Sequence, residues 1–263
     1  MNKIETLGLD WISENLTQFV SADSAPFISY VAKNQIVNSS GVRVDHNPCT
    51  GTVVLAAEIL SIVLTNGGDF VILDNKILSE PLTLGSRVTV TPYARRHFSG
   101  IRVDQLRVGA ANDEPEQAGR LGSSSVSRLP VETPTTDEGK HVLDYLHRAR
   151  CPDGLRVLSN LLVDIGATNM AFIESKDKMA LVFDCNNSLF NGRVVVSMEY
   201  DMQSFCVELF KVETNGTETL QHKHENVGHD DLTSVMTLLL CDGRWMLAQV
   251  EVHAPATATA EKE

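Results

Sequence analysis

The fold of the first half is decided by residues 61–73, which read Ser-Ile-Val-Leu-Thr-Asn-Gly-Gly-Asp-Phe-Val-Ile-Leu. Two runs rich in β-branched residues flank an Asn-Gly pair, which is a strong signal for a β-hairpin. An apolar run at 52–55 precedes the hairpin, and an alternating run at 87–91 follows it and stops at Pro92. At least four short strands in this segment predict a small β barrel or a curled sheet.

A short helix is predicted ahead of these strands. Residues 8–20 carry apolar side chains at positions 9, 12, 16 and 20, and steps of three and four residues are typical of one face of an α-helix. Trp11 lies in this segment, and we expect it to anchor the helix in a core, because large aromatic side chains are mostly buried.

The second half predicts an α+β domain. Helical spacing predicts helices over residues 140–149 and 155–165, and a closing helix from residue 231. Short β-rich runs between them predict an antiparallel meander flanked by these helices, and Asn191–Gly192 predicts one of its turns. The predicted strands are residues 170–173, 179–183, 193–198 and 205–212, with a last strand at 245–250.

Composition divides the chain into domains. Residues 110–139 are rich in Gly, Ser, Pro, Thr and acids and poor in large apolar side chains, which predicts a flexible linker. The linker separates a first domain at 1–109, an N-terminal helix with a small β module, from an acidic α+β domain at 140–253. Residues 254–263 predict a disordered tail.

The net charge of −12 is distributed unevenly. Residues 1–112 hold 9 Lys and Arg against 10 Asp and Glu, whereas residues 113–263 hold 13 against 24. An acidic chain repels nucleic acid, because affinity for nucleic acid rests on neutralisation of phosphate by Lys and Arg. The charge therefore argues against a non-specific DNA coat and favours a basic protein partner.

A pattern of glycine, valine and aspartate runs through residues 50–95. Its members are Gly51, Val53, Val63, the run from Phe70 to Asp74, Leu78, Pro81, Gly85, Val88, Val90 and Tyr93. In this pattern the segment is similar to the small KfrB-type β module of proteins from conjugative plasmids and integrated elements. The resemblance implies an accessory protein of a mobile element, in an adaptor or nucleic-acid-processing context, and it implies no particular reaction.

A basic cluster follows the last predicted strand of the first half. It contains four arginines, a histidine and two aromatic residues within residues 93–107. Such a cluster either binds phosphate and stacks on bases or forms a solvated rim that contributes little. Pro92 ends the strand before the cluster, so we expect it on an exposed edge. The candidate nucleic-acid contacts are Tyr93, Arg95, Arg96, Arg102 and Arg107.

A second cluster places three histidines and three acids in residues 221–231. In an extended strand His222 and His224 point the same way, so together with His229 they could chelate Zn²⁺. The spacing does not match the His-Glu-x-x-His motif of zincins, because the third histidine lies one residue too far along the chain. The other interpretation, which we favour, is a solvated hairpin and a helix cap.

Several classes of protein lack their signatures. The chain has no GxxxxGK[ST], GxGxxG or Gly-x-Ser-x-Gly motif, so common routes to phosphate binding and acyl transfer are missing. Its five cysteines form no Cys-x-x-Cys pair, which predicts reduced thiols in a cytoplasmic protein. No apolar run reaches the roughly 20 residues of a membrane span. No cofactor or membrane partner is predicted.

The leading hypothesis is a non-catalytic, two-domain, cytoplasmic binding or adaptor protein of an accessory or mobile-element kind. We expect its partner to be a basic protein, with nucleic acid as a further partner through the arginine cluster of the first domain. The alternative is a metal-dependent hydrolase that uses the histidine and aspartate cluster at 222–231.

Overall fold

The structure is a computed structural model that divides the chain into two units. The first unit takes residues 1–94 and 243–263, and the second takes residues 95–242. The residues described are 3–20, 25–32, 36–37, 43–103, 128–154, 156–175, 178–199 and 203–254. Within these ranges no helix has the length and apolar content that crossing a bilayer requires.

The first unit is built on a six-stranded sheet with the order β1-β6-β5-β4-β7-β13. β1 pairs with β6 in parallel, and the other neighbours are antiparallel. The strands are β1 (Ile28–Val31), β4 (Cys49–Ala56), β5 (Leu60–Thr65), β6 (Phe70–Asp74), β7 (Arg87–Thr91) and β13 (Gln249–Ala254). A separate two-stranded ribbon joins β2 (Ile36–Val37) to β3 (Arg43–Val44).

Helix α1 (Lys3–Asn15) covers one face of this sheet and runs on into a short 3-10 turn, Leu16–Gln18. Ile12 of the helix is buried against Ile62, Phe70 and other apolar side chains of β5 and β6. The helix approaches closely at Gly8, where a Cβ atom would lie 2.7 Å from the side chain of Ile72. Trp11 packs beside this cluster.

The opposite face of the first sheet is also apolar. Alternate residues along the strands point to opposite faces, so the neighbours of the α1-facing residues form a second core. Its buried members include Val53, Val63, Val71, Val88 and Val90. At β5 and β6 the first sheet is therefore lined by apolar side chains on both faces.

The second unit combines three helices with a five-stranded antiparallel meander of order β12-β11-β10-β9-β8. The helices are α2 (Asp137–Arg148), α3 (Leu158–Asp164) and α4 (Leu232–Leu240). The strands are β8 (Thr168–Glu174), β9 (Lys178–Asn186), β10 (Asn191–Glu199), β11 (Phe205–Val212) and β12 (Glu218–Val227).

The core of the second unit lies between the helices and one face of the meander, where Phe183, Val194, Val207 and residues of all three helices are buried together. Arg156 lies within the unit with a side chain only 1% exposed. It forms ion pairs with Asp153 at 2.8 Å and with Asp164 at 2.7 Å. Burial by itself would lower the pKa of Arg156, but the hydrogen bonds and charges of these two carboxylates raise it, so the guanidinium stays charged.

The predicted α+β class is confirmed, and of the two forms expected for the first half the structure has the open sheet, since neither sheet closes into a barrel. The predicted hairpin is present, because β5 and β6 pair antiparallel around the loop that carries Asn66. Asn191–Gly192, predicted as a turn, instead lies within β10. Gly192 is needed there because a Cβ atom would meet the carbonyl oxygen of Phe210 at 2.1 Å.

The boundaries of the units differ from the predicted domains. β13 belongs to the first sheet, whereas the sequence assigned residues 140–253 to the second domain. The end of the predicted linker is also structured, because Leu129 is buried in the second core and α2 begins at Asp137. Residues 110–127 of that linker and 255–263 of the predicted tail lie outside the described residues.

Candidate interaction surface

The arginine cluster forms a tight hairpin. The Val103 amide donates to the Arg95 carbonyl at 2.9 Å, and the His97 amide donates to the Ile101 carbonyl at the same distance. The reversal is made by Gly100, whose φ of 80° favours glycine. The fold therefore sets Arg96 opposite Arg102 in an isolated antiparallel bridge.

This hairpin does not gather the predicted arginines on one exposed edge. Arg102 is buried at 5% exposure, so the expectation of an exposed side chain is wrong there. Arg95 is half-buried and Arg96 is exposed, with its Nη1 donating to the Gly100 carbonyl at 2.8 Å. Arg107 lies outside the described residues.

Two contacts explain why the hairpin turns inward. Phe98 packs against the core of the second unit, and the side-chain amide of Asn160 in α3 donates to the Arg96 carbonyl at 3.1 Å. Tyr93 belongs to the first unit, where its ring packs edge-to-face on Trp245 with centroids 4.6 Å apart. Both aromatic side chains of the cluster thus have packing partners within the fold, whereas base stacking requires an open ring face.

The three histidines of the second cluster are not brought together as metal ligands. His222 is exposed and His224 half-buried on β12, opposite Leu209 and Val207 of β11. His229 follows in a short 3-10 turn, and its ring packs edge-to-face on Tyr145 at 4.6 Å. In the part of the chain that the structure describes, no group of three or more His, Cys, Asp or Glu side chains could hold a metal ion.

Three of the cysteines are buried thiols whose pKa values are raised. All five are free. Burial raises the pKa of Cys49 and Cys185 to about 11 and that of Cys151 to about 12. These thiols are therefore protonated near neutral pH, whereas the nucleophile is the thiolate.

The surface that sequence reasoning missed is the face of the meander turned away from the helices, here called the outer face. Successive strand residues alternate between faces, so the neighbours of the buried core residues point outward. Its members on β8 to β11 are Ala171, Ile173, Lys178, Ala180, Val182, Asp184, Arg193, Val195, Ser197, Cys206, Glu208 and Phe210.

Two charge bridges cross this face. Lys178 of β9 pairs with Glu208 of β11 at 3.3 Å and therefore spans β10, which lies between those strands. Arg193 of β10 pairs with its neighbour Asp184 at 3.0 Å and with Glu218 of β12, so it spans β11. Two lines of charged side chains thus cross a sheet surface that is apolar between them.

An open concavity of about 330 Å³ lies on this face. Its apolar floor is formed by Ala180, Val182 and Val195, with Ile173 at the β8 side. Ile173 is 51% exposed, although a large aliphatic side chain is usually buried. The remaining lining residues are Ser175, Lys178, Arg193 and Glu218.

A buried hydroxyl lies close to the concavity. The register sets Ser197 opposite Ala180 and Cys206, beneath the Lys178–Glu208 bridge. Ser197 is 1% exposed, and its Oγ has no hydrogen-bond partner among the described residues. A buried polar atom without a partner costs stability, so a ligand group that reached this hydroxyl would gain a hydrogen bond.

The ionised groups of the face carry an acidic excess. Asp184, Glu208, Glu218 and Glu225 outnumber Lys178, Arg193 and Lys223 in its bridges. Burial raises the pKa of Asp184, but hydrogen bonds from Asn169 and Arg193 outweigh it and lower the pKa overall. An apolar side chain of a partner can bind between the two lines of charged residues. The outer face thus has the general form of a recognition surface, with an apolar centre and a polar rim.

A signal for this face exists in the sequence. Residues 179–183 and 194–196 are continuous apolar runs, which predict strands apolar on both faces, whereas a half-exposed strand alternates.

The chain was compared with protein-family models, with curated proteins and with solved structures, and no match was found.

Proposed function

We propose that the protein is a non-catalytic adaptor whose second unit binds a partner protein through the outer face. The observation that carries the proposal is the apolar floor of Ala180, Val182 and Val195, left open between two charge bridges. Interfaces between proteins bury such an apolar centre within a polar rim, and a few central residues supply most of the binding energy.

The partner is a basic protein. The outer face has one more acid than base in its bridges, and residues 113–263 hold 24 acids against 13 bases. Opposite charge accelerates encounter and disfavours acidic competitors. A protein partner is favoured over nucleic acid because Arg102 is buried and the hairpin aromatic Phe98 packs into the core.

The cellular setting follows from two further features. Five free thiols suit a reducing compartment, which supports a cytoplasmic protein. The resemblance of residues 50–95 to the KfrB-type module supports an accessory protein of a mobile element. The metal-dependent hydrolase has no support from the described residues, since His229 packs on aromatic rings and not beside His222 and His224.

The test compares partner capture by three forms of the full chain. Val195→Lys places a charge on the floor, and Leu238→Lys places the same charge on α4, where Leu238 is 78% exposed on the helix side of the unit. We expect one or more basic proteins to be retained by the wild type and by Leu238→Lys, and to fall at least about tenfold with Val195→Lys, as for a central interface residue.

A second measurement tests the charge of the partner. Glu218→Lys reverses one carboxylate of the outer face while leaving the apolar floor in place. Binding of the captured protein should weaken and should become less sensitive to added salt, because screened attraction contributes less. Equal retention by all forms, including Val195→Lys, would show that the partner does not use this face.

A further inference from the structure

The two edges of the meander differ, and the difference points to a second docking element, the backbone edge of β8, which adjoins the outer face at Ile173. β12 forms one edge and is ten residues long. It carries the Lys223–Glu225 ion pair, its pairing with β11 is interrupted twice, and Asn226 has a φ of 56°. Charges, bulges and kinks are the features by which proteins block unwanted pairing at a sheet edge.

β8 forms the other edge and lacks this protection over its central residues. Ala171, Phe172 and Ile173 are uncharged, and in the described parts of the chain β8 pairs with β9 alone. The kink of β8 lies before them, where Asn169 has a φ of 52° and the register shifts between Thr168 and Ala171. An edge of this kind presents backbone N–H and C=O groups that a further strand can pair with.

The end of β8 is held in place by Glu174. Its carboxylate accepts hydrogen bonds from the backbone amides and hydroxyls of Thr135 and Thr136, which precede α2. The charge of Glu174 is thereby compensated within the unit. A strand held at one end in this way loses less conformational freedom when another strand pairs with it.

We propose that β8 pairs antiparallel with β8 of a second copy of this chain, centred on Phe172. A two-fold axis at this position makes every contact occur twice, as in isologous dimers. It sets Ala171 opposite Ile173 of the second copy, so a small side chain faces a large one. Met170 faces Glu174, and Phe172 faces its own counterpart, so no two like charges are opposed.

The choice of a second copy follows from this complementarity. The exposed Ile173 gains an apolar neighbour on the outer face, and Phe172 gains an aromatic one on the opposite face. A slip of the register by one residue would set outer-face side chains against those of the opposite face. The paired segment is short, so the dimer is weak, with a Kd on the order of 10–100 µM.

Sedimentation equilibrium of the full chain tests the proposal from low micromolar to several hundred micromolar concentration. The wild type should show a reversible monomer–dimer equilibrium. Ile173→Lys should weaken the dimer at least about tenfold, because it replaces the apolar contact with a charge. Leu220→Lys is the matched control on β12, since Leu220 is 47% exposed and Ile173 is 51% exposed, and it should leave the dimer unchanged.

Cross-linking tests the register without disturbing the fold. Ala171→Cys and Ile173→Cys are prepared separately and mixed under mild oxidation. The mixture should yield a disulfide-linked dimer of the two variants, because residues directly opposite across an antiparallel pair lie within reach of a disulfide. Each variant alone should cross-link no more than the wild type, whose five native thiols set the background.

Three outcomes overturn the proposal. The first is a wild type that remains monomeric over the whole concentration range. The second is a dimer that Ile173→Lys and Leu220→Lys weaken equally, and the third is a failure of the mixed cysteine variants to cross-link above background. Dimerisation is measured on the purified chain without a partner protein, so these outcomes do not test partner binding at the outer face. Ile173 does line the concavity, but the floor residues Val182 and Val195 are unchanged in these variants.

Discussion

The two sheets differ in the surfaces that no described helix covers. Where the first sheet extends past α1, it is polar, and Thr50, Thr89 and His253 form a row of hydrogen bonds across β4, β7 and β13 at 2.8 and 2.7 Å. Where the second sheet turns away from its helices, it is apolar, with Val182 and Val195 on the floor of a concavity. A polar uncovered face needs no partner, whereas an apolar one marks a site for interaction.

The unfolding of each unit can be measured separately because the two units carry different reporter residues. Both tryptophans, Trp11 and Trp245, lie in the first unit, so tryptophan fluorescence follows its unfolding. Four of the five cysteines lie in the second unit. Cys185 is buried there at 2% exposure, so its labelling rate reports when that unit opens.

The largest effect is expected from adjacent residues on the two faces of β9. Phe183 is fully buried, and Phe183→Ala should destabilise the second unit by about 3–5 kcal/mol because it leaves a cavity. Val182→Ala on the outer face should cost less, about 1 kcal/mol, since Val182 is only partly buried and its removal leaves no enclosed cavity. Labelling of Cys185 across a denaturant series measures both, and equal losses would refute the difference between the faces.

A smaller effect is expected where each sheet requires a glycine. A Cβ at Gly51 would lie 2.1 Å from the Leu64 carbonyl oxygen, and one at Gly192 would lie 2.1 Å from that of Phe210. Gly51→Ala and Gly192→Ala should each cost about 1–3 kcal/mol through displaced backbone. The loss should register in tryptophan fluorescence for the first and in thiol labelling for the second.

The control for these two variants is Gly67→Ala in the β5–β6 loop. A Cβ there would come no closer than 3.7 Å to another atom, so its stability should match the wild type. If Gly51→Ala and Gly67→Ala lowered stability equally, the close cross-strand approach would not be the cause.

The smallest effect concerns pH and Glu174. Hydrogen bonds from Thr136 and Thr135 lower the pKa of this carboxylate from 4.5 to about 2. A lowered pKa in the folded state stabilises the protein fully above the unfolded value, and the contribution is lost as pH falls through the folded value. Wild type should therefore exceed Glu174→Gln in stability above pH 4.5, with the difference vanishing towards pH 2.

Thermal melting of both proteins along a pH series measures this difference. Solvent exposure of the site keeps the effect small. Thr135→Val removes one donor to Glu174 and should remove part of the pH dependence. A difference that stays constant from neutral pH down to about pH 2 would mean that the threonine contacts do not act on this carboxylate.

Most elements could be predicted because their signals are local. The signals for the β5–β6 hairpin and for α1 come from residues that lie close together in the sequence. Asn191–Gly192 misled because its local signal is that of a turn, whereas the reason for glycine is the carbonyl of Phe210 on the neighbouring strand. A contact between Gly192 and a neighbouring strand cannot be recognised from the residues next to Gly192 in the sequence.

The candidate site was predicted less well than the fold. The arginine cluster is visible as a run of residue types, but the burial of Arg102 depends on the packing of its hairpin within the second unit. The outer face is visible only as continuous apolar runs in β9 and β10. Such runs indicate that both faces of a strand are apolar, but they do not indicate which face the helices cover.

The sequence by itself determined the α+β class, the hairpin, the meander and the acidic second half, because periodicity, turn residues and charge are properties of neighbouring residues. Only the tertiary structure decided that β1 pairs with β6 in parallel and that β13 returns from the far end of the chain to β7. Pairing between distant segments is selected by burial over the whole unit against the entropy of closing the intervening loop, and no local pattern encodes that balance.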